Sequence, residues 1–393
     1  MPGKKPSSRS ERRRVCVVTG TRAEFGLLVP VMDAIKKRKS LELLVVAAGA
    51  HFLKPAQTIR EVEAKYTVAA RVPMQMQGKT GRYADAAALG RGVEGFARAF
   101  RKLKPDWVVV LGDRIEAFAA ASAASIAGIA VCHIHGGDRA EGIADEAMRH
   151  AITKLSHLHC AATKLSAERI KKMGEKPEHV HLTGSPALDG LSSVRPMSDT
   201  ELHALGDPGA VLLMHPAGLA DDAEEMLWGA LAAITARRAA RNGAVLWLDP
   251  NYDPGRQALI AGIQTARPAD GWIRMSHLPR LKFIALLHAL TRRGGALVGN
   301  SSSGLIEAMA TGIRVYDLGP RQRGRESHPN VCRIDNPADT SMLWRQIERD
   351  RRLPPWRASS RILLDGTTGP RIAALLAKTD PHNPGLLRKR NSY

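Results

Sequence analysis

Four short stretches place ionisable and hydroxyl side chains directly after apolar runs, where neither packing nor turn chemistry requires them. The first is Gly20-Thr21-Arg22-Ala23-Glu24-Phe25-Gly26. A glycine turn opening onto a helix offers backbone N–H groups, and Arg22 adds a fixed cation; together these suit a phosphate. The second, Gly112-Asp113-Arg114-Ile115-Glu116, carries an Asp that could equally be a helix cap. The third is the richest: His133, His135 and Asp138 around Gly136-Gly137, then Glu141, Asp145, Glu146, Arg149 and His150. Asp145 could cap the next helix, but capping cannot use all of them. Clustered carboxylates and imidazoles perturb one another's pKa values, as proton transfer requires. The fourth, Gly299-Asn300-Ser301-Ser302-Ser303-Gly304, sets three hydroxyls before a helix predicted at 305–311. It forms an anion cradle that needs no lysine. Glu307, one turn inside that helix, could reach a ribose hydroxyl.

These junctions need strands to present them. Short β-branched runs at 14–20, 41–49, 107–113, 129–137, 157–163 and 179–184 alternate with helical patterns such as 23–38, 115–127 and 145–155. Strands that are apolar throughout, alternating with helices, predict a parallel doubly wound sheet. The pattern restarts with strands at 210–216, 244–250, 271–275, 296–300, 313–319 and 330–334. The expected fold is therefore α/β, with two Rossmann-like doubly wound parallel-sheet domains and a ligand cleft between them. The expected boundaries are a basic disordered tail at 1–13, a first domain at 14–190 and a linker at 191–208. A second domain follows at 209–375, then a basic tail at 376–393 that frays.

Composition narrows the classes. Of 393 residues 44% are hydrophobic, enough for a sizeable core, and 58 basic against 38 acidic residues give +20, a surface suited to anionic partners. Four scattered cysteines without a CxxC pair argue for a reducing compartment, so a soluble, cytoplasmic protein is expected. No apolar stretch is long enough to span a membrane. No nucleic-acid-binding pattern accompanies the basic tails, so nucleic acid is not an expected partner. The pairs His133/His135, His157/His159 and His179/His181 each face one way on a strand, yet lack a third ligand at metal-site spacing; no metal is expected. Gly78-Lys79-Thr80 lacks the upstream glycine of a P-loop, Asn300–Gly304 lacks the first glycine of a nucleophile elbow, and GxGxxG is absent after the first strand.

In the stretches GTRAEFG, GAHF, LGDRIE, HIHGGD, DEAMRHAITKLSH, LTGSPALD, MHP, PNYDPG, GNSSSGLIEA and LGPRQRGR, spread over about residues 14–335, the chain resembles the hydrolysing UDP-N-acetylglucosamine 2-epimerases. Close relatives in that family act on UDP-diacetamido sugars. The resemblance implies a GT-B-like fold and a UDP-sugar substrate bound between the domains. It also implies elimination of UDP, then hydration of the glycal to free N-acetylmannosamine or an analogue, for sialic-type acid biosynthesis. Neither a metal nor a redox cofactor is needed by this chemistry. By position, Arg22, Ser301, Ser302, Ser303 and Arg321 would hold the diphosphate and Glu307 the ribose. Asp113, His135, Asp138 and Asp145 would surround the sugar, with His215 opposite. Asp113 and Asp145 are the expected acid/base groups, and His135 or His215 the helper. His51, Arg114, Asn251, Asp253 and His277 complete the expected substrate contacts, and a homo-oligomer, dimer or tetramer, is the expected assembly. Two departures stand out. Asp138 occupies a position where many members have Glu, and His135 replaces a Glu found in some, so the identities of base and sugar stay open. The alternatives are a diacetylbacillosamine-specific hydrolysing epimerase, a GT-B glycosyltransferase, a non-hydrolysing epimerase and a basic, non-catalytic binding protein.

Overall fold

The computed structural model describes residues 12–54, 57–79, 81–139, 145–216, 222, 228–229, 231, 243–250, 256–265, 272–276, 278–319, 321–322, 328–334, 340–350, 353 and 365–392. The chain divides into two compact units, Met1–Asp189 with Asp365–Tyr393, and Gly190–Leu364. In chain order the first unit contains β1 (Arg13–Thr19), α1 (Arg22–Lys37), β2 (Leu41–Ala48), α2 (Ile59–Glu63), β3 (Val68–Val72), α3 (Arg82–Leu103), β4 (Trp107–Leu111) and α4 (Ile115–Ile126). It continues with β5 (Ala130–Ile134), α5 (Asp145–Leu155), β6 (Leu158–Ala161), α6 (Lys164–Lys172) and β7 (Val180–Leu182). The second unit contains α7 (Asp199–Ala204), β8 (Pro208–Leu213), β9 (Ala244–Leu248), α8 (Arg256–Thr265), β10 (Trp272–Met275), α9 (Arg280–Arg292) and β11 (Ala296–Gly299). It ends with α10 (Glu307–Thr311), β12 (Arg314–Leu318), β13 (Val331–Ile334) and α11 (Thr340–Asp350), after which α12 (Thr368–Lys378) and α13 (Pro384–Leu387) belong to the first unit.

Both sheets are wholly parallel. The first runs β3-β2-β1-β4-β5-β6-β7 and the second β10-β9-β8-β11-β12-β13. The two-residue period of a strand divides β1 between two cores. Val15 and Val17 pack with Leu28, Met32 and Ile35 of α1, while Cys16 and Val18 pack with Phe96 of α3 and the alanines of α4. That double burial is why the strands read as continuous apolar runs. Strand order reverses between β1 and β4 in one sheet and between β8 and β11 in the other. Such switch points open a crevice at the strands' C-terminal ends.

The C-terminal expectation is corrected. Ile372, Ala373 and Leu376 of α12 are buried in the core beside α1, and a Cβ added to Gly369 would come within 2.4 Å of the Pro30 carbonyl. Asp189 accepts the Thr368 and Gly369 N–H groups at 3.0 and 2.6 Å, tying down the helix start. Apolar periodicity announces a helix with a buried face but not which sheet receives it, so residues 365–392 go to the first unit instead of ending the second and fraying. Likewise 191–208 is no free linker: Met197 N–H bonds to the Ala285 carbonyl at 3.0 Å, and α7 carries a Ser198–Glu201 capping box. Residues 1–11 lie outside the described residues, while Arg12 and Arg13 are described and Arg13 opens β1. No helix among the described residues is long and apolar enough to cross a membrane.

Candidate active site

The switch point of the first unit gathers side chains from β4, β5, α5 and the loop after β7. Asp113 follows β4, and its carboxylate receives Nη2 of Arg149, one turn into α5. Arg149 also donates Nη1 to the His135 carbonyl at 3.0 Å and lies 4.0 Å from Asp138 Oδ2. His135 takes a left-handed backbone (φ 64°), uncommon outside glycine, that turns the chain directly beyond β5. Its Nδ1 stands 3.1 Å from Asp138 Oδ2 and its Nε2 2.9 Å from Ser185 Oγ. A carboxylate can only accept, so Nδ1 carries a proton and donates it to Asp138. Ser166 donates to Asp138 Oδ1 at 2.6 Å. Burial pushes the Asp138 carboxyl up, but bonds from His135 and Ser166 and the charge of Arg149 outweigh it and hold it below the usual range. The His135 and Arg149 side chains are 9% and 7% exposed, against 21% for Asp113 and 25% for Asp138, so the carboxylates are the accessible members.

Beneath the loop after β1 lies a second acidic pair. Glu24 accepts the Gly20 N–H, and Glu116, fully buried, takes Gln75 Nε2 at 2.7 Å and Arg114 Nε at 3.3 Å. Gly49 (φ 55°) makes room for Glu116: a Cβ there would stand 2.3 Å from Oε1. Burial first, then Glu116, raises the Glu24 carboxyl to about 8. The Gly20 N–H expected for a phosphate is thus taken internally.

In the second unit Asn300, fully buried after β11, clamps the chain leaving β8. Its Oδ1 accepts His215 N–H at 2.7 Å and its Nδ2 donates to the His215 carbonyl at 2.8 Å. Gln322 Nε2 and Arg321 Nη1 donate to the Asn300 carbonyl at 2.8 and 3.3 Å. The chain passes tightly here, since a Cβ on Gly299 would meet the Leu213 carbonyl at 1.9 Å. The serines differ from expectation. Ser302–Gly304 forms a 3-10 turn and α10 begins only at Glu307, because Leu305 and Ile306 N–H both bond back to the Ser302 carbonyl. Glu307 receives Nε of Arg280 at 2.6 Å.

Of the residues expected in the site, Asp113, His135 and Asp138 come together in the first unit. His215, Ser301, Ser302 and Arg321 lie on the loops of the second, and Glu307 opens its α10. Arg114 pairs with Glu116, and Arg22 sits exposed, 3.2 Å from Glu61. The His51 ring is buried, with Nε2 3.0 Å from Thr19 and Nδ1 2.7 Å from Thr58, and burial lowers it to about 4. Asp145 is the first residue of α5, and Ser303 lies in the 3-10 turn. Asn251, Asp253 and His277 fall outside the described residues. Arg149, Ser185, Asn300 and Gln322 were not among the expected site residues. Arg149 and Asn300 nevertheless stand in the third and fourth of the polar junctions, and Ser185 and Gln322 within the stretches LTGSPALD and LGPRQRGR. Among the described residues no group of three or more His, Cys, Asp or Glu is placed to hold a metal. Instead His133 Nε2 donates to the Gly112 carbonyl at 2.8 Å, and His157 Nδ1 accepts Val131 N–H at 3.0 Å.

Two parallel α/β units with polar loops at both switch points define the GT-B-like class. Solved structures share the fold: UDP-GlcNAc 2-epimerase from Neisseria meningitidis bound to UDP-GlcNAc has TM-score 0.75 and 18% identity, covering 93% of this chain and 100% of that one. The Methanocaldococcus jannaschii enzyme in complex with UDP-GlcNAc and UDP has TM-score 0.71 and 17% identity, with the same coverages. The family model for UDP-N-acetylglucosamine 2-epimerase matches residues 33–377, and the chain belongs to that family. Among curated relatives, "UDP-N,N'-diacetylbacillosamine 2-epimerase (hydrolyzing)" of Legionella pneumophila is 32% identical over 388 residues, 97% of this chain and 100% of that protein. The UDP-N-acetylglucosamine 2-epimerase of Neisseria meningitidis serogroup B is 32% identical over 330 residues, 82% of this chain and 84% of that one.

Proposed function

We propose that this epimerase is hydrolysing: it converts UDP-N-acetylglucosamine, or a UDP-diacetamido sugar, to UDP and the free 2-epimer, for nonulosonic (sialic-type) acid biosynthesis. The observation that carries the reading is the pair of accessible carboxylates, Asp113 and Asp138, gathered by one buried guanidinium at a switch point. The C2–H of a sugar nucleotide is not acidified by a carbonyl, so it becomes removable only as the C1–O bond to UDP breaks. The C2 proton passes to a carboxylate, and UDP leaves with the C1–O electron pair. Water then adds to C1 of the glycal while a proton reaches the opposite face of C2. Asp113 and Asp145 are assigned the proton transfers, with Asp138 as the carboxylate already poised in its ionised form and His135 or His215 as helper. Ser301, Ser302, Ser303 and Arg321 are assigned the diphosphate, joined by Arg22, and Glu307 the ribose. A cytoplasmic location belongs to the same reading, supported by the free thiols of all four cysteines.

Hydrolysis over simple epimerisation is supported by the names of the Legionella pneumophila relative and of one from Campylobacter jejuni serotype O:2, "GDP/UDP-N,N'-diacetylbacillosamine 2-epimerase (hydrolyzing)", which is 26% identical over 330 residues, 81% of this chain and 84% of that protein. The match to the former spans nearly the whole chain, which favours a diacetamido sugar as the second reading of the substrate. NMR of products from a panel of UDP-sugars tests both. UDP plus a free 2-epimer supports the proposal, and a 2-epimer still attached to UDP contradicts it.

A further inference from the structure

The basic C-terminal segment, which the reaction does not use, is folded onto α5. Nζ of Lys389 donates to the carbonyls of Thr153 at 3.3 Å, Lys154 at 2.7 Å and Ser156. A helix end leaves its last carbonyls without intrahelical partners, and a cation there also opposes the negative end of the helix dipole. The same ammonium lies 2.7 Å from Glu175, a carboxylate 4% exposed that also meets His159 at 3.0 Å and Lys154 at 2.8 Å. Burial pushes the Glu175 carboxyl up, but bonds from His159, Lys154 and Lys389 outweigh it and hold it at about 2. Two further bonds fasten the strap: Lys154 Nζ to Asn391 Oδ1 at 2.7 Å and Ser392 N–H to the Gly174 carbonyl at 3.0 Å.

The element so fastened carries Asp145 and Arg149. Its last turn is also wired to the loop after β4. Thr153 Oγ1 lies 3.2 Å from His133 Nδ1, and His133 Nε2 donates to the carbonyl of Gly112, the neighbour of Asp113. Thr153 therefore meets the strap through its carbonyl and the site through its hydroxyl. A tail that served only to solubilise the chain or attract polyanions would have no reason to seat its ammonium against three helix-end carbonyls and a carboxylate.

We propose that Lys389 is a positioning residue for the reaction: it latches the last turn of α5 so that Arg149 is held on Asp113. The proposal rests on the role given above to that cluster in UDP-sugar turnover.

Lys389→Met and Lys389→Arg, in the full chain, test it by steady-state UDP release and by amide hydrogen exchange. Lys389→Met should lower kcat about tenfold or more, the scale of displacing a reacting group from a distance, with KM within about twofold. Exchange across 145–155 should quicken while that of the second unit stays unchanged, and Lys389→Arg should restore both readouts. Wild-type kcat with unaltered α5 exchange in Lys389→Met overturns the proposal, as does an equal loss in Lys389→Arg. If Lys389→Met does not fold, Lys389→Gln, which keeps donors for the carbonyls and removes the charge, is read in its place with the same expectations. A wild-type chain that releases no UDP from any UDP-sugar overturns the functional reading instead, and the exchange comparison then decides by itself whether the strap latches α5.

Discussion

Arg149 of α5 binds the carboxylate of Asp113, which follows β4, and the same guanidinium holds the His135 carbonyl in its left-handed turn. One buried cation thus sets the geometry of two loops that are 22 residues apart in sequence.

Arg149→Lys should therefore be no conservative change. A lysine keeps the charge but cannot bond two acceptors in the guanidinium's fixed fork. Turnover should fall by about 10²-fold or more, as expected when a reacting group is misplaced. Arg149→Ala should in addition destabilise the chain by about 2 kcal/mol, because Asp113 and the His135 carbonyl lose a charged partner. Urea unfolding and initial-rate measurements on both variants check this; Arg149→Lys at wild-type rate would remove the fork from the account.

Glu24 supplies a pH test. A carboxyl raised from 4.5 to about 8 on folding contributes its stabilisation fully below 4.5 and loses it as pH climbs through about 8. Wild-type stability should accordingly decline between those values. Glu24→Gln, an isostere of the protonated acid, should flatten that decline and be the more stable protein at pH 8. Equal urea midpoints for the two proteins across this range would contradict the burial argument.

Asn300→Ala removes both side-chain bonds to the His215 peptide. A cost of about 2 kcal/mol is expected, the scale of two lost hydrogen bonds. UDP affinity should fall with it, because the same loop carries Ser301 and Ser302. Calorimetry finding unchanged UDP binding would separate the clamp from the nucleotide site.

The sequence carried the sheets well and the packing across them poorly. All six strands expected in the second half are present: double burial makes the inner ones continuous apolar runs, while the edge strands β10 and β13 are only partly buried. The edge strand β3 went unread: Val68–Val72 includes exposed Arg71 and a single fully buried residue, so no apolar run marks it. The long helix α3 was missed as well, its apolar stripe diluted by alanines and glycines. Asp113, His135 and Asp138 were legible because strand ends concentrate them. Ser185 was not, since its bond to His135 spans 50 residues. Nor was the return of α12 to the first unit, which depends on the fit of Gly369 against Pro30.

Asp145 opens α5, where either a structural or a catalytic role suits a carboxylate. Asp145→Asn keeps most of any capping ability and abolishes the titratable group. It should fold nearly normally yet lose turnover by at least about 100-fold, the lower scale for removing a general acid or base. Full activity in Asp145→Asn, with Asp145→Ala merely melting earlier, would make Asp145 structural and leave the proton transfers to Asp113 and Asp138.

Proton abstraction at C2, coupled to loss of UDP, is tested most directly by running the reaction in deuterium oxide and examining the product by NMR. The account predicts UDP and a free sugar of inverted C2 configuration that carries deuterium at C2. A free sugar retaining protium there, or an epimerised sugar still bound to UDP, would contradict it.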